Sequence, residues 1–288
     1  MGIDIYLTSV FGKMRNTLRR FYDIWHSLVI SSDKPIVVTF TGGMGAQIIS
    51  AAIYFYYRNE GREIYADLSY FDQPERVATE GRKGDVSHWG WQLQFFGLFP
   101  ESFTRLQTIP RRKYHLIHDG LEKLTLGVKA LGTKSIQNYF VEDRIGEVIL
   151  LPELSSNYVC VHVRRGDYTN VASHIINDTT FIALAGRVAG LLNEAVIVSD
   201  SAIDDNFRQA ICNAYKKAIF LDNVDAITAH RIMRNATVLV CSNSQFSLVA
   251  ALLNRRALVV LPKRWFGADN QKLEVPISEL CDFQILSS

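Results

Sequence analysis

Two adjacent arginines, Arg164 and Arg165, follow the apolar run Tyr158-Val-Cys-Val-His-Val163 and lead into Gly166, Asp167 and Tyr168. Val159, Val161 and Val163 are β-branched and read as a strand, and the charges begin where that strand should stop. In open α/β sheets the carboxyl ends of strands are where ligands bind. Two guanidinium groups there suit a phosphate, because charged hydrogen bonds are worth about 1.5–3 kcal/mol each and the planar fork allows bidentate contact. Consecutive residues alternate in direction along a strand. One arginine on a ligand, with its neighbour paired to Asp167 or another carboxylate, therefore stands beside both on the same ligand.

Two further segments carry polar groups at the start of an expected helix. Ile36 to Phe40 is a short apolar run, Thr41-Gly-Gly-Met-Gly-Ala-Gln47 is a glycine turn, and Ile48 to Tyr57 has helical character. Gly43 and Gly45 let a ligand approach the backbone, and a helix N-terminus attracts anions. The segment is not a dinucleotide fingerprint, since Ile48 stands where the third glycine would be, nor a P-loop, since no Gly-Lys-Ser/Thr follows. A tight turn without a ligand explains it equally. Ser242-Asn-Ser-Gln-Phe-Ser247 follows a later strand and either caps the next helix or, through Asn243, Ser244 and Gln245, holds an anion. Asp200 and Ser201 end another strand, poised for a ribose or base contact or for capping.

The elements that must position these residues form an α/β pattern. Strands are expected at Ile36–Phe40, Glu63–Leu68, Tyr158–Val163, Ala195–Ser199, Ala218–Leu221, Val238–Cys241 and Ala257–Leu261. In the second half helices alternate with them, over Thr180–Leu192, Asp204–Tyr215, Ala226–Arg234 and Gln245–Leu253, so the sheet should be parallel and covered on both faces. From Phe71 to Leu150 the pattern is less regular. Its aromatic cluster of Trp89, Trp91, Phe95, Phe96 and Phe99 is either core or a stacking surface for sugar rings. The chain has 288 residues, 48% hydrophobic, which suits two cores. Three parts are expected: a helical extension over residues 1–34, an α/β domain over 35–152 and a second one over 153–288.

A formal net charge of +2 argues against a nucleic-acid partner. Cys160, Cys212, Cys241 and Cys281 lack metal or redox spacing and read as reduced core thiols of a cytoplasmic protein. No stretch approaches the roughly 20 apolar residues of a membrane span. Phe11, Met14, Leu18, Phe21, Tyr22, Trp25 and Leu28 recur at helical spacing opposite Lys13, Arg15, Arg19 and Arg20. That basic amphipathic helix suits either the protein's own surface or peripheral contact with the inner face of a membrane through residues 11–28.

Together these blocks resemble glycosyltransferase family 11, the α-1,2-fucosyltransferase family. Its His-x-Arg-Arg-Gly-Asp-Tyr motif is matched by His162, Arg164, Arg165, Gly166, Asp167 and Tyr168. Its glycine block matches Gly42 to Gln47, its Asp-x-Ser-x-Phe matches Asp67 to Phe71, and its Asn-Ser-Ser-Phe-Ser corresponds to Asn243 to Ser247. The resemblance implies a GT-B-like pair of Rossmann-type domains. It also implies an inverting transfer of L-fucose from GDP-β-L-fucose to the 2-hydroxyl of a galactose-type acceptor in a surface glycan. Arg164, Arg165 and Asp167 would be catalytic, the arginines holding the diphosphate while His162 and Asp167 orient them. Gly43, Gly45, Gln47, Asp200, Asn243, Ser244 and Gln245 would contact the donor. No cofactor is expected, and with no Asp-x-Asp in the chain no metal either. The general base stays open among Asp167, His174, Asp178 and a donor phosphate oxygen. Ala46 replaces the family's asparagine, and Ala229 replaces an acidic residue. Those departures keep alive a transferase for another GDP-sugar or linkage; a separate alternative is a non-catalytic glycan- or nucleotide-binding protein attached to membranes through residues 11–28.

Overall fold

A computed structural model describes residues 34–72, 90–106, 113–141, 156–170, 175–222, 224–254 and 257–261, with only the backbone at Leu121, Asp167 and Asn170. The expected helix over residues 11–28, Trp89, His174 and Cys281 lie outside the described residues.

The first unit opens with β1 (Ile36–Thr39), the glycine turn and α1 (Met44–Asn59), followed by β2 (Ile64–Asp67). After a gap come β3 (His115–Ile117) and α2 (Leu121–Leu131), then the short α3 (Lys134–Gln137). The strands form a parallel sheet in the order β2-β1-β3. Neither β3 nor α2 belongs to the expected elements, since both fall in the stretch that carries no regular pattern.

The second unit alternates without interruption. It runs β4 (Val159–Val163), α4 (Asp178–Val188), β5 (Glu194–Ser199), α5 (Asp205–Ala214) and β6 (Lys217–Asp222). It continues with α6 (Ala226–Asn235), β7 (Val238–Val240), α7 (Gln245–Leu253) and β8 (Leu258–Val260). The five strands are parallel, ordered β6-β5-β4-β7-β8, the doubly wound arrangement.

Period-two alternation sorts this sheet into two faces. Val159, Val161, Val163, Ala195, Ile197 and Val240 pack on Phe181 and Leu184 of α4 and on Phe207 and Ile211 of α5. Cys160, Val196, Val198, Leu239 and Cys241 face the other way. There they share one apolar core with α6, α7 and α1 of the first unit. Two Rossmann-type units joined in this way make the GT-B-like architecture. Gln137 and Arg234 strengthen the seam: Gln137 Nε2 donates to the Leu252 carbonyl at 3.3 Å, and Arg234 Nη1 to the Phe140 carbonyl at 2.9 Å.

The aromatic cluster is mostly core. Trp91 stacks with Phe40 at 5.9 Å and donates its indole N–H to the Leu98 carbonyl at 2.9 Å. Phe96 is buried, and Phe99 alone of the described members is more than half exposed. The thiols divide as well, Cys160 and Cys241 being buried and Cys212 exposed. Burial raises the pKa of both buried thiols. Among the described residues no helix is long and apolar enough to cross a membrane.

Candidate active site

Chain order and spatial order of the second sheet diverge between β4 and β7, and ligands enter open sheets at such a switch point. Arg164 leaves β4 there, and Ser242 to Ser244 leave β7. Strand parity decides what the two arginines do. Arg164 continues the face of Cys160 and His162, toward α7, whereas Arg165 continues the face of Val161 and Val163, toward α4.

The contacts follow that division. Arg165 donates from Nη1 to the Ile176 carbonyl at 2.8 Å, pairs through Nη2 with Asp178, and lies 5.5 Å over the Phe181 ring. It does not line the cavity. Arg164 does line it, and its Nη1 lies 2.6 Å from Asp200 Oδ2. Asp200 Oδ1 also accepts the Arg165 backbone amide at 2.7 Å, so one carboxylate fixes both the guanidinium and the loop that carries it. Gly166 makes room for this. Its φ is +24°, and a Cβ there would fall 2.5 Å from Asp200 Oδ2.

Across the cavity stands the glycine loop. Gly45 sits in the first turn of α1, where an added Cβ would lie 2.6 Å from the Phe246 amide nitrogen and 2.7 Å from the Gln245 carbonyl carbon. The starts of α1 and α7 therefore touch backbone to backbone, which only glycine permits. Gly43 caps α1 with no side-chain hydrogen bond, while Ser244 caps α7 by accepting the Phe246 amide at 3.1 Å. Each helix start carries roughly half a positive charge. Two of them, with Arg164, face one cavity of about 290 Å³. That constellation can hold a dianion and stabilise charge that builds on it.

Gly43, Gly45, His162, Arg164, Asp200, Ser244 and Gln245 are thus brought together around the cavity. Gln47 is not among them. Its buried amide donates to the carbonyls of Gly42 (2.8 Å) and Gly90 (2.9 Å) and accepts the Gln92 amide at 2.9 Å, so it staples the glycine loop from behind. Asn243 is buried and does not line the cavity either. The side chain of Asp167 lies outside the described residues. His162 packs 5.6 Å from the Phe246 ring, and its Nδ1 has no hydrogen-bond partner among the described residues. Burial, and then the charge of Arg164, lower its pKa to about 3, so the ring is neutral at physiological pH. Among the described residues Asp200 pairs with Arg164 and so helps to orient it.

Residues 97–275 match glycosyl transferase family 11. The chain belongs to that family. Among curated proteins no relative matches the sequence. Solved structures similar to this family 11 member include POFUT1 in complex with GDP-fucose, at 16% identity and TM-score 0.44, covering 82% of this chain and 98% of that one. The E. coli heptosyltransferase WaaC with ADP-2-deoxy-2-fluoro heptose has 11% identity, TM-score 0.42 and coverage of 86% and 96%. The E. coli ADP-heptose LPS heptosyltransferase II has 12%, 0.43 and coverage of 88% and 90%.

The sequence motifs leave one wall of this glycosyltransferase's cavity unmarked. Val224, Ala226 and Ala229, at the start of α6, line it with Val198 from β5. Small apolar residues after a strand give no motif; of this wall the sequence marked Ala229 alone, as a departure from the family pattern, and only a position beyond β6 could have pointed to Val224 and Ala226. Ala46 and Ala229, both departures from the family pattern, line the cavity themselves.

Proposed function

We propose that the protein transfers L-fucose from GDP-β-L-fucose, with inversion and without a metal, to the 2-hydroxyl of a galactose-type sugar. The observation that carries this is Arg164, pinned by Asp200 and facing one cavity with the starts of α1 and α7. As the bond between the anomeric carbon and the diphosphate oxygen breaks, negative charge grows on the leaving GDP. Donors already aimed at that charge stabilise it without reorganising. The small apolar wall of Val224, Ala226 and Ala229 leaves space for a flat base, and Asp200 and Gly166 keep the guanidinium from following the substrate.

The decisive experiment incubates the full chain with GDP-fucose, GDP-mannose and a panel of galactosides, with and without EDTA. GDP release with extension of the acceptor is expected only with the fucosyl donor and undiminished in EDTA. Turnover lost in EDTA would sink the metal-free assignment. A second reading, a family member for another GDP-sugar, is favoured by one observation: both Ala46 and Ala229 lie in the cavity wall. Preferential turnover of GDP-mannose would establish it. Peripheral membrane contact through residues 11–28 rests on sequence alone; deletion of 1–34 should weaken binding to anionic vesicles while sparing transfer to soluble acceptors.

A further inference from the structure

The first sheet has a switch point of its own. Chain order β1, β2, β3 against the spatial order β2-β1-β3 puts it between β1 and β3. Thr41 lies just beyond β1, Asp119 just beyond β3, and Lys123 in the first turn of α2. Thr41 Oγ1 donates to both carboxylate oxygens of Asp119, at 2.9 and 2.8 Å. Lys123 Nζ donates to Asp119 Oδ1 at 2.8 Å and to the Thr39 carbonyl at 2.7 Å. The lysine side chain is 4% exposed and the carboxylate 50%. A buried ammonium is tolerable because it is paired and hydrogen-bonded, and here its partner is a carboxylate that opens to solvent.

The location ties this pair to the donor cavity. Thr41 immediately precedes Gly42, the first residue of the loop that lines the cavity. Asp119 is therefore hydrogen-bonded to the root of that loop, on the side of the first unit. The other described carboxylates at strand ends are committed elsewhere. Asp200, just beyond β5, holds Arg164; Asp222, the last residue of β6, holds Arg208; and Asp67, the last residue of the edge strand β2, accepts the Ser69 amide at 3.0 Å.

We propose that Asp119 is the general base of the reaction, a step that rests on the glycosyl transfer proposed above. The acceptor oxygen forms its bond to the anomeric carbon while the bond to the diphosphate breaks. The leaving electron pair goes to GDP, and the hydroxyl proton goes to an Asp119 oxygen, which releases it to solvent. Burial alone would raise the pKa of this carboxyl, but the charge of Lys123, the hydrogen bonds from Lys123 and Thr41, and nearby His118 hold it below the ordinary value. Asp119 is thus ionised throughout the neutral range. It is a weak base for an alcohol but an adequate one for an oxygen that becomes strongly acidic as its bond to carbon forms.

The test compares a sugar acceptor with azide, a nucleophile that carries no proton, using whichever nucleotide sugar the wild type transfers. In Asp119→Ala and Asp119→Asn, kcat for the sugar acceptor should fall at least ~100-fold, with acceptor KM and donor Kd within about threefold of wild type. Azide should restore turnover of Asp119→Ala, yielding the glycosyl azide. Thr41→Val, which keeps the carboxylate and its bond from Lys123 but removes the hydrogen bonds from Thr41, should move the acid limb of kcat to higher pH, a readout that survives if the Asp119 variants fold poorly. Loss of azide turnover in a folded Asp119→Ala would overturn the proposal. So would a raised KM at unchanged kcat, or a comparable loss in Asp67→Asn with Asp119→Asn fully active. A wild type that binds no GDP-fucose but transfers another sugar counts against the donor assignment and leaves the comparison of variants intact.

Discussion

Each switch point carries an ion pair, but the two pairs are exposed differently. At the second, the guanidinium beyond β4 and the carboxylate beyond β5 are almost equally buried, 14% and 17% exposed, and the cation lies among helix N-termini. Between β1 and β3 the cation is buried at 4% exposure, and the carboxylate stands half in solvent. In the proposed reaction, one crevice would offer positive charge to the departing phosphate and the other negative charge to the arriving hydroxyl. A parallel sheet supplies the place in both cases; in the first unit the exposed member of the pair is the carboxylate, and in the second the helix N-termini beside Arg164 set the sign.

The largest effect should come from splitting the arginine pair. Arg164→Ala removes the cation that faces the cavity, and turnover should fall at least ~100-fold while the fold survives. Arg165→Met keeps an apolar stem over Phe181 but loses Asp178 and the Ile176 carbonyl. It should lower stability by about 1–2 kcal/mol with turnover changed only a few-fold. Steady-state kinetics beside urea unfolding would separate the two. Equal losses of turnover would mean that both guanidiniums serve the donor and that strand parity does not divide them.

Next in size is the contact that brings the positive ends together. Gly45→Ala puts a methyl group against the backbone of Gln245 and Phe246, which cannot move independently of α7. The helices must separate, costing about 1–3 kcal/mol of stability. Because the anion site straddles them, turnover should fall about tenfold. An active Gly45→Ala with wild-type GDP affinity would show that the two helix starts need not touch.

The first switch point was far less legible in the sequence than the second. β4 is a fully buried strand in which β-branched Val159, Val161 and Val163 alternate with Cys160 and His162, and α6 and α7 begin at their polar caps, Asp225 and Ser244. β3 is three residues long with two only half-buried, and α2 starts after Gly120 with no side-chain cap. It also buries Lys123, against the pattern by which amphipathic helices are recognised. The base candidate was hidden for that reason, since Asp119 acquires its setting only from a strand and helix with weak local signals. Gln47 illustrates a different gap. A polar residue beside a glycine loop looks like a ligand contact until three backbone partners are found for its amide.

The smallest effect lies behind the second switch point, where His230 is fully buried between Phe96 and Phe246 and neither ring nitrogen has a hydrogen-bond partner among the described residues. Burial, then the charge of Arg234, push its pKa well below the ordinary value. The ring is therefore neutral in the folded chain, whereas the unfolded chain takes up a proton below about pH 6.5. The unfolded state then binds more protons than the folded one, so stability present above that pH is lost as pH falls, by up to ~1.4 kcal/mol per pH unit for each such histidine. His162, with a pKa of about 3, adds a second term of the same sign over the window from about 6.5 down to 3. His230→Leu removes an orphaned N–H and one of the two titrations. It should raise stability by about 1 kcal/mol at pH 7, and urea unfolding at pH 5 and 7 should show a shallower acid slope than wild type. An unchanged slope would mean that His230 is protonated inside the fold, which would set a positive charge behind Phe246 and make the cavity wall part of the cationic crevice.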